Sequence, residues 1–131
     1  DQGLTFQALQ ALREVIEGVV TDPEEIVTER VGKRTFQFKA GEFFQNNPCL
    51  LPEMVAFVTA EASSGTTPHL LDAYCGSGLF SISASDQFDK CVGVEISAEA
   101  ANWARANAAI NRLQNCEFIL GSASEVLLFG K

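Results

Sequence analysis

The chain has 131 residues, 47% of them hydrophobic and 20% charged, a composition that fits one globular domain and excludes collagen-like and low-complexity chains. Nine Lys and Arg against seventeen Asp and Glu give a net charge of −8, which argues against this chain alone as a tight nucleic-acid binder, because such binders present a basic face. Apolar runs are only a few residues long, so no membrane-spanning helix is expected, and no basic stretch followed by an apolar one marks a leader at the start.

Residues 4–20 read as a helix, with Leu9, Leu12, Ile16 and Val19 on one stripe and Asp22-Pro23 ending it. Residues 26–31 and 34–39 alternate apolar and polar around Gly32-Lys33, the pattern of a β-hairpin. This region also holds Arg30, Lys33, Arg34 and Lys39, the one basic stretch of the chain; the first three read as a solvated hairpin face. A loop follows at Phe43 to Asn47, then a helix to about Ala62 with Asn47 as its cap and Pro48 at its first position.

From His69 the rhythm becomes βαβαβα. Strands are expected at 69–74, 91–95 and 116–120, and helices at 79–85, from Ser97 through Asn107 or beyond, and after a capping box at Ser122 and Glu125. Strands alternating with helices imply a parallel sheet, an α/β fold of Rossmann-like type with half a sheet present.

Ligands of open α/β sheets bind beyond the carboxyl ends of the strands. Two polar features fall there. The turn from Asp72 through Gly76 and Gly78 brings backbone N–H groups close to a ligand. Glu95, 17 residues after Gly78, places a carboxylate where the vicinal hydroxyls of a ribose can donate to it. The dinucleotide fingerprint needs a third glycine at position 81, which is Ser81. A nucleoside cofactor without phosphates, S-adenosylmethionine, fits better, and Asp72 either fixes the turn or meets the methionine ammonium. No C-x-x-C pair occurs among Cys49, Cys75, Cys91 and Cys116, and His69 is the single histidine, so no metal site is expected and a reduced, intracellular setting is. Cys75 lies inside the turn with no base near it in sequence, and Trp103 reads as packing.

Four segments together resemble the tRNA (uracil-C5)-methyltransferases, in wording the eukaryotic, fungal-type branch that acts on the T-loop uridine. They are Gly41-Glu-Phe-Phe-Gln-Asn-Asn47, Leu71-Asp-Ala-Tyr-Cys-Gly-Ser-Gly-Leu-Phe80, Val92-Gly-Val-Glu-Ile96, and Asn115-Cys-Glu-Phe118 with Gly121-Ser122. The resemblance implies S-adenosylmethionine as cofactor and tRNA as partner. It implies cofactor contacts at Gln45, Tyr74 and Glu95, a backbone contact at Leu79, a looser polar contact to the adenine end at Ser122, and Phe43 near the target base. It divides the chain into residues 1–42, part of a central or accessory domain, and residues 43–131, the first half of the cofactor domain. The family's S-C-N-P nucleophile, D-P-P-R segment and C-terminal base have no counterpart here, so the chain is expected to be a fragment, inactive alone, with no catalytic residue of its own. Two other readings stand beside it: a methyltransferase for protein or small molecules, which the acidity favours, and a non-catalytic interaction domain on a degenerate methyltransferase fold.

Overall fold

The computed structural model of the chain describes Ala8 and residues 22–42 and 49–128. Apart from Ala8, the helix expected over 4–20 lies outside the described residues, as do the cap at Asn47 and the residues Phe43 and Gln45.

β1 (Ile26–Val31) and β2 (Arg34–Lys39) form the expected antiparallel hairpin, in register from Ile26↔Lys39 to Val31↔Arg34. Gly32 takes φ +60 in the turn, a conformation glycine adopts without side-chain strain. Phe36 and Phe38 fall on one face by the period of two, and both are buried. α1 (Leu51–Ala62) starts with Pro52 in its first turn and no side-chain cap at Leu50. It ends at Ser63, whose N–H and hydroxyl both donate to the Thr59 carbonyl, at 3.0 and 2.8 Å.

The second unit is a parallel sheet in the order β3 (His69–Asp72), β4 (Lys90–Glu95), β5 (Cys116–Leu120). β3 stops at Asp72, two residues short of the expected Tyr74, because the chain there turns into the glycine-bearing loop. α2 (Leu79–Ala84) follows and tightens into a 3-10 turn at Ser85–Gln87. α3 (Ala98–Ile110) is capped by the Ser97 hydroxyl, which accepts from the Ala100 N–H at 3.3 Å. α4 (Ala123–Leu128) begins after Ser122, whose hydroxyl receives the Glu125 N–H at 3.5 Å. Among the described residues no helix is long and apolar enough to cross a membrane.

Hairpin and sheet share a core. Val31, Phe36 and Phe38 cluster with Leu79, Ile82, Ala104 and Phe118. Polar stitches reinforce this junction. Asn107, fully buried, accepts the Gln37 N–H at 2.7 Å and donates to the Gln37 carbonyl at 3.1 Å. One helical turn later, Asn111 does the same to Thr35, at 3.0 and 2.8 Å. Four residues of helix advance about 6 Å and two residues of strand about 6.6–6.8 Å. Two carboxamides at that spacing thus match the groups of β2 that face away from β1, and they cover an edge that would otherwise be open to pairing.

Candidate functional site

Parallel pairing sets the site. Asp72 is opposite Gly93, so β3 and β4 end side by side, with Glu95 two residues further along β4. Beyond Asp72 the Cys75 N–H still donates to the Val94 carbonyl at 3.1 Å, and the Gly78 N–H closes a turn onto the Cys75 carbonyl at 2.9 Å. Gly76 at φ +56 and Gly78 at φ +97 make that turn possible. Gly93 makes room behind it: a Cβ there would meet Phe118 at 2.6 Å and the Cys75 Sγ at 2.8 Å.

Glu95 joins the ends of the two strands. Its Oε1 accepts the Gly76 N–H and its Oε2 the Ser97 N–H, both at 2.9 Å. An ionised carboxylate has about four acceptor positions, so further donors can still be received. Asp72 turns the other way: its Oδ2 accepts the hydroxyl of fully buried Ser81 at 2.7 Å, tying the end of β3 to α2.

A cavity of about 350 Å³ opens at this point, within the size range of small-molecule sites. Tyr74, Gly76, Ser77 and Leu79 from the turn and the start of α2 line it, with Glu95 and Ser97 from the end of β4 and just beyond. Phe38 on β2, Glu42 after the hairpin, and Ala100 and Trp103 on α3 also line it. Tyr74 stands 82% exposed at the mouth.

The charges around the cavity are arranged in pairs. Lys39 bridges Glu24 at 2.8 Å and Glu99 at 2.9 Å, and these bonds raise its pKa. Lys39 in turn holds the Glu99 carboxyl below its usual range, helped by a hydrogen bond from Glu42, whose own pKa is raised by that bond. Burial pushes the Cys75 thiol up to about 12, with Asp72 and Glu95 adding to the effect. At neutral pH it is a protonated thiol and no nucleophile.

Arg30 and Lys33 are exposed, as a solvated face requires, whereas Arg34 is largely covered and departs from that reading. Lys33 and Arg34 both bind Asp86, and Arg34 also donates to the Ser85 hydroxyl at 3.1 Å. The Arg30 Nε donates to the Gly32 carbonyl at 3.3 Å.

Of the residues singled out from sequence, Tyr74, Gly76, Leu79 and Glu95 meet at the cavity. Asp72, Gly78 and Ser122 are not among its lining residues. The space beside Gly78 is filled by protein: a Cβ there would meet the Ile82 Cδ1 at 2.8 Å and the Ala104 Cβ at 3.4 Å. At Gly76 an added Cβ meets nothing within 4 Å. The Ser122 hydroxyl is engaged with Ser124 at 2.8 Å and with the start of α4. Sequence reasoning missed Phe38, Phe80, Glu42, Ser97 and Ala100 as lining residues, and read Trp103 as packing rather than base stacking. Ala100 and Trp103 are three apart on one helix, which places them on a common face, but which face meets the cavity depends on how the hairpin docks.

Comparison with known proteins matches residues 17–128 to a family model described as tRNA (Uracil-5-)-methyltransferase. The chain is 49% identical over 113 residues to the tRNA (uracil(54)-C(5))-methyltransferase of Saccharomyces cerevisiae, covering 82% of this chain and 18% of that one. To the protein of the same name in Schizosaccharomyces pombe it is 41% identical over 115 residues, covering 82% and 22%. Among solved structures it is similar to Pyrococcus abyssi tRNA (uracil-54, C5)-methyltransferase in complex with S-adenosyl-L-homocysteine. That match has a TM-score of 0.66 and 28% identity, over 75% of this chain and 24% of the other. The chain thus spans about a fifth of the length of the curated relatives it matches.

Proposed function

Because the chain belongs to the tRNA (uracil-5-)-methyltransferase family, we propose that it is the S-adenosylmethionine-binding part of an enzyme that methylates C5 of the T-loop uridine of tRNA. The observation that carries this reading is the Glu95 carboxylate, fixed by the Gly76 and Ser97 N–H groups at the edge of the cavity. Two backbone N–H groups orient it, and it keeps acceptor capacity for the two ribose hydroxyls.

The residues fit the cofactor. Tyr74 offers an exposed aromatic surface, and the bare Gly76 backbone lets a ligand approach closely. Gln45 and Ser122 are proposed as further contacts and Phe43 as a contact to the target base. Asp72 acts through Ser81 and the turn. When bound, S-adenosylmethionine supplies an electrophilic methyl group on a sulfonium. What this chain contributes is binding and orientation. Cys75 stays protonated behind the turn and takes no covalent part. Residues 1–42 are proposed to belong to an accessory domain whose hairpin docks on the cofactor unit.

Lys33, Arg34 and Lys39 are engaged by Asp86, Glu24 and Glu99. The phosphate contacts that dominate RNA affinity are therefore proposed to come from other parts of the complete protein. The test is to incubate the complete protein with unmodified tRNA and methyl-labelled cofactor, digest the RNA and separate the nucleosides. The proposal expects labelled 5-methyluridine. Label in protein or in another nucleoside, with none in 5-methyluridine, would refute it.

A further inference from the structure

We propose that Asn107 is a positioning residue that holds the hairpin and the glycine turn, which both line the cofactor cavity, at a fixed separation. The inference deepens the proposed function and rests on that reading for the identity of the ligand.

Asn107 is 0% exposed and makes three hydrogen bonds through its carboxamide. Two go to Gln37, next to Phe38, which lines the cavity. The third runs from Nδ2 to the Ser77 carbonyl at 3.0 Å, in the glycine turn that also lines it. Both Nδ2 hydrogens are used, so the group has no spare donor. Ser77 sits between Gly76, whose N–H is held by Glu95, and Gly78, which packs against Ile82 and Ala104. The turn is thus gripped on one side by a carboxylate from β4 and on the other by a carboxamide from α3.

Asn111 provides a matched comparison within the same helix. It binds the N–H and carbonyl of Thr35 just as Asn107 binds those of Gln37, but its remaining bond goes to the Asn107 carbonyl at 2.8 Å. It docks the hairpin without touching the turn. A residue that only stabilised the hairpin–helix junction would behave like Asn111; a residue that positions the cavity would not.

The experiment compares wild type, Asn107→Ala and Asn111→Ala in the complete protein. Hydrogen exchange of the Gly76 to Leu79 amides is measured without ligand, and S-adenosylhomocysteine affinity by calorimetry. Both variants are expected to lower the melting temperature. Only Asn107→Ala is expected to speed exchange in the turn and weaken the ligand, each by about tenfold, the effect of losing one buried hydrogen bond. Asn111→Ala stays within about twofold of wild type on both readouts. Equal effects of the two variants on turn exchange would overturn the proposal. Failure of wild type to bind S-adenosylhomocysteine would sink the functional reading, while the exchange comparison would still decide the role of Asn107. Should Asn107→Ala not fold, the side-chain amide resonances of wild type decide. Those of Asn107 are expected to shift when S-adenosylhomocysteine is added, and those of Asn111 to stay; no shift at Asn107 on a binding protein would overturn the proposal.

Discussion

Gly78 shows how the structure turns a cofactor-loop glycine into a packing problem. With φ at +97, any side chain at position 78 is strained, at about 1–2 kcal/mol for a left-handed backbone. An added Cβ also lies 2.8 Å from the Ile82 Cδ1 and 3.4 Å from the Ala104 Cβ. Ile82 is fully buried, so it has little room to move, and overpacking of this kind costs about 1–3 kcal/mol. Gly78→Ala is therefore expected to lose about 2–5 kcal/mol of stability in urea unfolding. Gly76→Ala, at φ +56 with nothing within 4 Å of the new atom, carries the backbone part alone. The clash can be isolated with Ile82→Val, which removes Cδ1. In wild type that change costs about 0.5–1.5 kcal/mol. In the Gly78→Ala background it is expected to cost less or to stabilise, giving a coupling of about 0.5–3 kcal/mol in a double-mutant cycle. Additive effects of the two substitutions would refute the packing account. A Gly78→Ala protein of wild-type stability would refute the strain as well.

Other expectations concern exposure and charge. Tyr74→Ala removes a largely exposed ring, so its melting temperature stays within the range of neutral surface changes, while S-adenosylhomocysteine affinity falls; unchanged affinity would remove Tyr74 from the site. Lys33, and then Arg34, hold the Asp86 carboxyl below its ordinary value of 3.8. Their pairing contributes fully above that value and is lost as pH falls through the lower folded-state value. The melting-temperature gap between wild type and Asp86→Asn should thus shrink from pH 7 to about pH 3, and a constant gap would contradict the pairing. Cys75, buried with its thiol pushed up to about 12, should resist alkylation by iodoacetamide at pH 8 while exposed Cys49 reacts; mass spectrometry of the peptides would show the opposite order if the turn were open.

The hairpin was legible in the sequence residue for residue, because period-two alternation and Gly32 in the turn both mark its bounds. The three parallel strands were legible as short apolar runs, and Ser97 as a cap through its position before an alanine-rich helix. β3 was read too long, since Ala73 and Tyr74 continue an apolar run and only the backbone geometry of Gly76 and Gly78 shows where the strand must end. The part of the cavity lining at the strand ends was legible for a local reason: Tyr74, Gly76 and Glu95 all follow directly from strand ends. The part from the hairpin was not. Phe38 and Glu42 reach the cavity because the hairpin docks on α3, where Asn107 joins Gln37 to the glycine turn, and a buried asparagine looks in sequence like any polar helix residue. The pairing of Lys33 and Arg34 with Asp86 crosses more than 50 residues of chain, beyond what local charge patterning reveals.

The central claim is that the cavity beside Glu95 binds the nucleoside part of S-adenosylmethionine. Calorimetric titration of S-adenosylhomocysteine into the complete protein and its Glu95→Ala variant tests it most directly. Each ribose hydroxyl donating to this carboxylate forms a charge-assisted bond worth about 1.5–3 kcal/mol, so the loss of even one should make the variant bind at least about 10- to 150-fold more weakly than wild type, with one site per chain. Wild-type affinity in a folded Glu95→Ala protein, or no binding by wild type itself, would contradict the account.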